Sequence, residues 1–197
     1  MNEATLTFKK GTKEIEAIIN MIKSVNIPEG VTSIGGDAFY GCSGLTSVTI
    51  PNSVTSIEVF TFAYCSGLTS ITIPSSVTTI GTSVFQKCSN LTAVTLPKNI
   101  TVIGTCAFGG CSKLTSIIIP HSVTMIKAYA FCNCNQLKTI IIPENVKEIH
   151  LKAFHGCTGL TTATIPKTTI VSRSAFNSET SIFSTPAFNK TPLSKKF

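Results

Sequence analysis

The chain has 197 residues, 13% of them charged and 43% hydrophobic, and a net charge of +7. That hydrophobic content excludes disorder for the body of the chain, and no run approaches the roughly 18 apolar residues that a membrane-spanning helix needs. The positive charge sits mainly in the C-terminal tail, with +1 over residues 1–27, +2 over residues 28–166 and +4 over the last 31. No basic stripe with interleaved aromatics forms, which argues against nucleic-acid binding.

Residues 1–24 read as an N-terminal cap. Ile15, Ile18, Ile19 and Ile22 sit at helical spacing, which predicts an amphipathic helix over residues 13–23 covering one end of the molecule. In repeat register, Ile19 and Ile22 also occupy the positions that cysteine and leucine take later, while Glu16 stands in a phenylalanine position. With Glu3, Lys9, Lys10 and Lys13 among polar neighbours, the segment lacks the apolar core of a signal peptide. By sequence the chain is therefore expected to be cytoplasmic.

From residue 25 to residue 171 one pattern repeats. Proline recurs at positions 28, 51, 74, 97, 120, 143 and 166, always 23 residues apart. A fixed period of this length marks a stack of similar units, not one core assembled from distant segments. Each unit reads Leu-x-x-Val-x-Ile-Pro, as in Leu68–Pro74, where apolar residues alternate with polar ones and predict a short strand. Proline supplies no N–H donor and so marks the exit of the strand. A second extended piece, Val-x-x-Ile, follows. The segment Gly-x-x-Ala-Phe-x-x-Cys then reads as a compact turn into the next unit. Equivalent strands are expected side by side in parallel, roughly 4.8 Å apart. The last stretch, residues 172–197, reads as a degenerate final repeat and tail. One residue is lost after Pro166, so Val171 and Phe176 come one position early, and Glu179 and Ile182 stand in the cysteine and leucine columns. Such substitutions suit the end of a stack.

The motif Ile-Pro-x-x-Val-x-x-Ile-Gly-x-x-Ala-Phe-x-x-Cys-x-x-Leu, nearly whole at residues 27–45, 73–91 and 96–114, resembles that of the BspA-like, or treponemal-type, leucine-rich repeat proteins. The resemblance covers about three quarters of the chain, far more than a chance match. It implies a β-rich leucine-rich repeat solenoid, a curved right-handed α/β-type horseshoe of 23-residue repeats, with short parallel strands, compact turns and a strand-lined concave face. It also implies protein recognition or adhesion at a cell surface, with a host or self surface protein as partner.

Residues on the repeat columns are expected to be structural. Six of the eight cysteines form such a column and read as reduced core thiols; Cys106 and Cys132 lie outside it. Cys132 shares a column with His155, but four convergent metal ligands cannot be assembled around them. One aspartate (Asp37), one arginine (Arg173) and three histidines (His121, His150, His155) give no nucleophile with a base and an orienting acid. Neither catalysis, a metal nor a cofactor is expected.

The outward strand positions remain as a working surface. One column reads Ser47, Ser70, Ala93, Ser116, Thr139, Thr162, and the next reads Thr49, Thr72, Thr95, Ile118, Ile141, Thr164. Hydroxyl side chains suit a solvated strand face without further purpose. Ile118 and Ile141 break that field and supply an apolar anchor, with Ser116, Thr139, Lys138, His121, Thr95 and Thr72 as its rim. A noncatalytic protein-binding module is the reading favoured here. Binding of a polysaccharide or lattice by the hydroxyl columns, and a purely structural spacer, are the alternatives. The pattern leaves the oligomeric state open.

Overall fold

The computed structural model describes residues 5–6 and 20–185. Most of the helix expected over residues 13–23 thus lies outside the described residues, as does the tail beyond residue 185; Asn20 and Met21 are helical. The body is a solenoid of parallel strands and turns, one rung per 23-residue repeat.

Two strand series run along it. The Leu-x-x-Val-x-Ile segments supply β2 (Ser24–Asn26), β4 (Ser47–Thr49), β6 (Ser70–Thr72), β7 (Ala93–Thr95), β10 (Thr139–Ile141), β12 (Thr162–Pro166) and β14 (Ser181–Thr185). The Val-x-x-Ile segments supply β3 (Ser33–Ile34), β5 (Ser56–Ile57), β8 (Val102–Ile103), β9 (Met125–Ile126), β11 (Glu148–Ile149) and β13 (Ile170–Val171), and β1 (Thr5–Leu6) pairs with β3. All pairings are parallel. Within both series Cα partners are 23 residues apart as far as β12, as Ile140 opposite Ala163 shows. Ile149 instead faces Val171, so the residue lost after Pro166 is absorbed between them. β12 and β14 then pair at 19 residues, Ala163 opposite Ile182. Ile182 thus takes the inward strand position of the final rung and not the leucine column expected from the sequence, because the last turn is shorter than the single lost residue implied.

Proline closes each strand as expected. The carbonyls of Pro28, Pro51, Pro74, Pro120, Pro143 and Pro166 each accept the N–H of the residue three positions on, at 3.0–3.4 Å, and so turn the chain toward the second series.

The return segment is turn throughout, with a hydrogen-bond system of its own. Two residues per repeat are left-handed there, as at Asp37 (φ 58°) and Gly41 (φ 72°), Phe60 (57°) and Tyr64 (61°), or Cys106 (54°) and Gly110 (78°). This alternation aims every second N–H along the stack. Asp37, Phe39 and Gly41 donate to the carbonyls of Val59, Thr61 and Ala63 at 3.1, 2.8 and 2.8 Å, while Ala38, Tyr40 and Cys42 bond within their own rung. The same triple bond recurs from Phe60, Phe62 and Tyr64, from Ser83, Phe85 and Lys87, from Cys106, Phe108 and Gly110, and from Tyr129, Phe131 and Asn133.

Inside these walls the columns stack. Seven phenylalanine rings, Phe39 to Phe176, lie with successive centroids 4.8–5.6 Å apart and planes within 12°, an offset-stacked arrangement favoured by the ring quadrupole. The six column cysteines are buried and free. Their recurrence has a specific cause: Cys65, Cys88, Cys111, Cys134 and Cys157 each point Sγ at the carbonyl of the phenylalanine one rung back, at 3.0–3.3 Å. Burial pushes the Cys42 thiol up to about 11 and Cys88 to about 12, so these groups stay neutral at physiological pH.

Candidate partner-binding face

The strand-face residues are held by the alternation of the first series. In β10, Thr139 and Ile141 point outward and are exposed, while Ile140 between them is buried. Ser116 and Ile118 occupy the same outward columns one rung earlier, flanking buried Ile117. Ile118 is 85% exposed and Ile141 69%, and they are neighbours in a column that runs through Asn26, Thr49, Thr72 and Thr95 before them and Thr164 and Phe183 after them. Thr72 pairs with Thr95 through β6 and β7, and Ile141 pairs with Thr164 through β10 and β12. Lys138 and His121 are exposed at the edges of this region. The strand columns therefore bring Thr72, Thr95, Ser116, Ile118, Thr139 and Ile141 to one outer face, with Lys138 exposed just before β10 and His121 just after the Ile118 segment.

One feature of that face differs from expectation. Residues 116–118 are not in a strand, and among the described residues they make no backbone hydrogen bond to β7 or β10. The first series is divided into β2–β4, β6–β7 and β10–β12–β14, whereas the triple bonds of the turn side cross all five interfaces from the Phe39 rung to the Phe154 rung. The turn side and the core stack thus hold this rung in register, and its strand segment carries Ile118 without a sheet bond on either side.

Several hydroxyls next to the face are engaged within the solenoid. Thr46, Thr92 and Thr161, which follow the leucine column, donate to the carbonyls of Lys23, Thr69 and Lys138 at 2.8, 3.0 and 3.3 Å. They bind rung to rung and are not part of the exposed surface columns.

The polar chemistry elsewhere is sparse. His150 Nε2 lies 2.8 Å from Glu148 Oε2 on the second strand series, a half-exposed ion pair when the ring is protonated. Among the described residues no three His, Cys, Asp or Glu side chains gather as a metal site requires. Cys132 packs its sulfur over Gly109, where a Cβ would lie 3.2 Å away, and His155 is exposed. No helix among the described residues is long and apolar enough to cross a membrane.

A second surface cluster was not evident from the repeat columns. Tyr40, Phe60 and Tyr64 meet on the turn side of two adjacent rungs, with Tyr40 centred 5.3 Å from Tyr64 and 6.4 Å from Phe60. The available signal was their departure from column. Phe60 follows Asp37 and precedes Ser83, while Tyr64 stands between Gly41 and Lys87.

A parallel solenoid with an internal phenylalanine stack and an outward strand face defines a repeat protein of the leucine-rich repeat class. The BspA type leucine rich repeat region matches residues 19–120 and 79–191, with six copies, and the chain belongs to that family. Among solved structures it is similar to a leucine-rich repeat protein of T. pallidum, at 32% identity over 72% of this chain and 69% of that one, with a TM-score of 0.69. It is also similar to leucine-rich repeat proteins of Eubacterium ventriosum (25% identity, 85% of this chain and 45% of that one, TM-score 0.72) and Bacteroides ovatus (25%, 85% and 64%, TM-score 0.50). The chain therefore spans less than two thirds of the length of the latter two. No curated protein matches it.

Proposed function

We propose that the protein is a noncatalytic recognition module that binds a protein partner on its first-series strand face, centred on Ile118 and Ile141. The observation that supports this reading is the exposure of those two adjacent β-branched side chains, 85% and 69%, within columns of small hydroxyl residues. Water gains nothing from them, and the core does not use them; burying them against a partner recovers roughly 25 cal/mol per Å² of apolar surface. Ser116, Thr139, Lys138, His121, Thr95 and Thr72 provide the polar rim that such an anchor needs. Membership of the family favours protein interaction and a role at a surface; the partner, adhesion and cell-surface placement are part of this proposal.

The interrupted ladder disfavours the polysaccharide or lattice reading. A periodic solid requires an unbroken hydroxyl array, and here Ala93, Ile118 and Ile141 replace hydroxyls while residues 116–118 leave the sheet. Partner capture by the wild-type protein, compared with an Ile118→Asp/Ile141→Asp variant, tests the assignment. Capture should be lost while circular dichroism and melting stay as in the wild type. Undiminished capture by the variant would move the binding face elsewhere.

A further inference from the structure

The run Ile-Ile-Ile-Pro occurs twice, at residues 117–120 and 140–143, in the same columns of adjacent rungs. The second copy pairs in β10, and the first leaves the sheet. Identical residues exclude local propensity as the cause, so the neighbouring rungs decide the difference.

The unpaired stretch has sharp limits. The Leu114 N–H donates to the Cys111 carbonyl at 3.0 Å, and the Pro120 carbonyl accepts from Val123 at 3.1 Å. Among the described residues no backbone group of Thr115–Ile119 between them is hydrogen-bonded. Ile27, Ile73 and Ile142 donate to the carbonyls of Thr49, Thr95 and Thr164 at 2.9–3.0 Å; their counterparts at the two interfaces of the Ile118 rung, Leu96 and Ile119, have no such bond. The Thr115 hydroxyl also lacks the bond to the rung before it that Thr46, Thr92 and Thr161 make. β4 and β6 lie in separate sheets too, but each pairs on its other side, and the Thr69 N–H still reaches the Thr46 carbonyl at 3.4 Å. The Ile118 rung is free on both sides. Its strand segment is held by burial of Ile117 and Ile119, which are 8% and 5% exposed.

A cause lies at the corner before each strand, in the column Gly44, Gly67, Asn90, Lys113, Gln136, Gly159. A Cβ at Gly67 would sit 2.5 Å from the Ser43 carbonyl oxygen, and one at Gly44 or Gly159 closer still to that of Asn20 or Asn135. A rung that carries a side chain there cannot settle so tightly on the rung before it. β6 and β7 accommodate Asn90 and still pair. Lys113 and Gln136 follow in succession, one at each interface of the Ile118 rung, and neither strand interface bonds.

We infer that Thr115–Ile119 is a flap, kept out of the sheet by Lys113 and Gln136, that opens independently of the turn side and carries Ile118 with it while Ile141 stays fixed in β10. Two buried side chains without backbone bonds give a low local opening free energy, and the bonded turn side confines that opening to one wall. For recognition the consequence, which rests on the partner-face reading above, is a face whose two apolar anchors adjust their spacing to the partner.

Native-state hydrogen exchange of the whole, unliganded chain tests the flap. Ile119 and Ile142 are the same residue type preceded by the same residue type, so their unprotected rates match. The Ile119 N–H should exchange about a hundredfold faster than that of Ile142, while the Phe108 N–H, bonded to the Ala130 carbonyl at 2.8 Å, stays protected. Lys113→Gly/Gln136→Gly should slow Ile119 about tenfold by letting its rung settle, and leave Ile142 unchanged as the measure of intact folding. Equal protection of Ile119 and Ile142 in the wild type, or equally fast exchange at Phe108, overturns an independent flap. Unaltered exchange of Ile119 in the folded double variant overturns the role of Lys113 and Gln136. Because no partner enters the measurement, its outcome is separate from that of the Ile118→Asp/Ile141→Asp capture experiment.

Discussion

The thiol of Cys111 donates to the carbonyl oxygen of Phe85 across 3.2 Å, and that carbonyl also accepts the N–H of Cys88 from its own rung. One side chain therefore both fills the core and ties one rung to the rung before it. Cys111→Ala should lower stability by about 1–2 kcal/mol, from the lost hydrogen bond together with a small cavity. Urea unfolding of the two proteins measures it; an unchanged midpoint would mean that the thiol contributes packing volume alone.

Access separates the eight cysteines into two groups. Cys106 and Cys132 are partly exposed, and the other six are buried. A bulky disulfide reagent should modify two thiols in the native protein and eight after unfolding. Cys132 should react slowly near pH 8, because burial, assisted by the nearby Cys106, pushes it up to about 11. Rapid native modification of more than two would place the column thiols in solvent.

The same burial sets an alkaline limit. Folding raises Cys42 to about 11 and Cys88 to about 12 from an ordinary value of 9.0. Both states hold neutral thiols below pH 9, so this contribution to stability is fully present there. Above pH 9 the unfolded chain loses protons that the folded chain keeps, and stability falls until the folded values are passed. The slope is about 1.4 kcal/mol per pH unit for each thiol that remains neutral. Melting temperature should therefore be flat in this respect up to pH 9 and then drop; a rise between pH 9 and 11 would contradict it.

Position along the stack should decide the cost of losing a ring. Phe108 is sandwiched between Phe85 and Phe131, at 5.4 and 5.3 Å, and Phe108→Ala should cost roughly 3–5 kcal/mol. Phe176 stacks on Phe154 at 4.8 Å and is only partly buried, so Phe176→Ala should cost much less, as nearest-neighbour coupling predicts. Equal losses in denaturant titrations would rule out the nearest-neighbour description.

Gly104 lies where two rungs approach closely on the return side. A Cβ there would sit 2.5 Å from the Gly81 carbonyl oxygen and 2.6 Å from that of Ile80, both backbone atoms. Gly104→Ala should destabilise by about 1–3 kcal/mol, the cost of overpacking a site that cannot relax. Gly41→Ala, at φ 72° but with open space around the added carbon, tests backbone conformation separately from crowding.

Much of this architecture was legible from the 23-residue period. Alternation before each proline placed the strands, and the invariant columns placed the phenylalanines and cysteines inside. The loss of one residue after Pro166 foretold the Ile149–Val171 register. The exposed pair Ile118 and Ile141 was legible for the same reason: strand alternation assigns odd and even residues to opposite faces.

What the period could not convey is how firmly each rung bonds to the next. The segment around Ile118 has the same strand pattern as its neighbours, yet it leaves the sheet while the turn side bonds without interruption. That outcome depends on how the two walls share one stack, a relation among rungs that no single repeat contains. The meeting of Tyr40, Phe60 and Tyr64 was hidden likewise, since they come from different columns of two rungs. The sequence by itself determined which residues recur and which face they take, because that is set by local alternation. The tertiary structure decided which backbone groups pair between rungs and which off-column side chains meet, because both depend on left-handed turns that aim N–H groups and side chains along the stack.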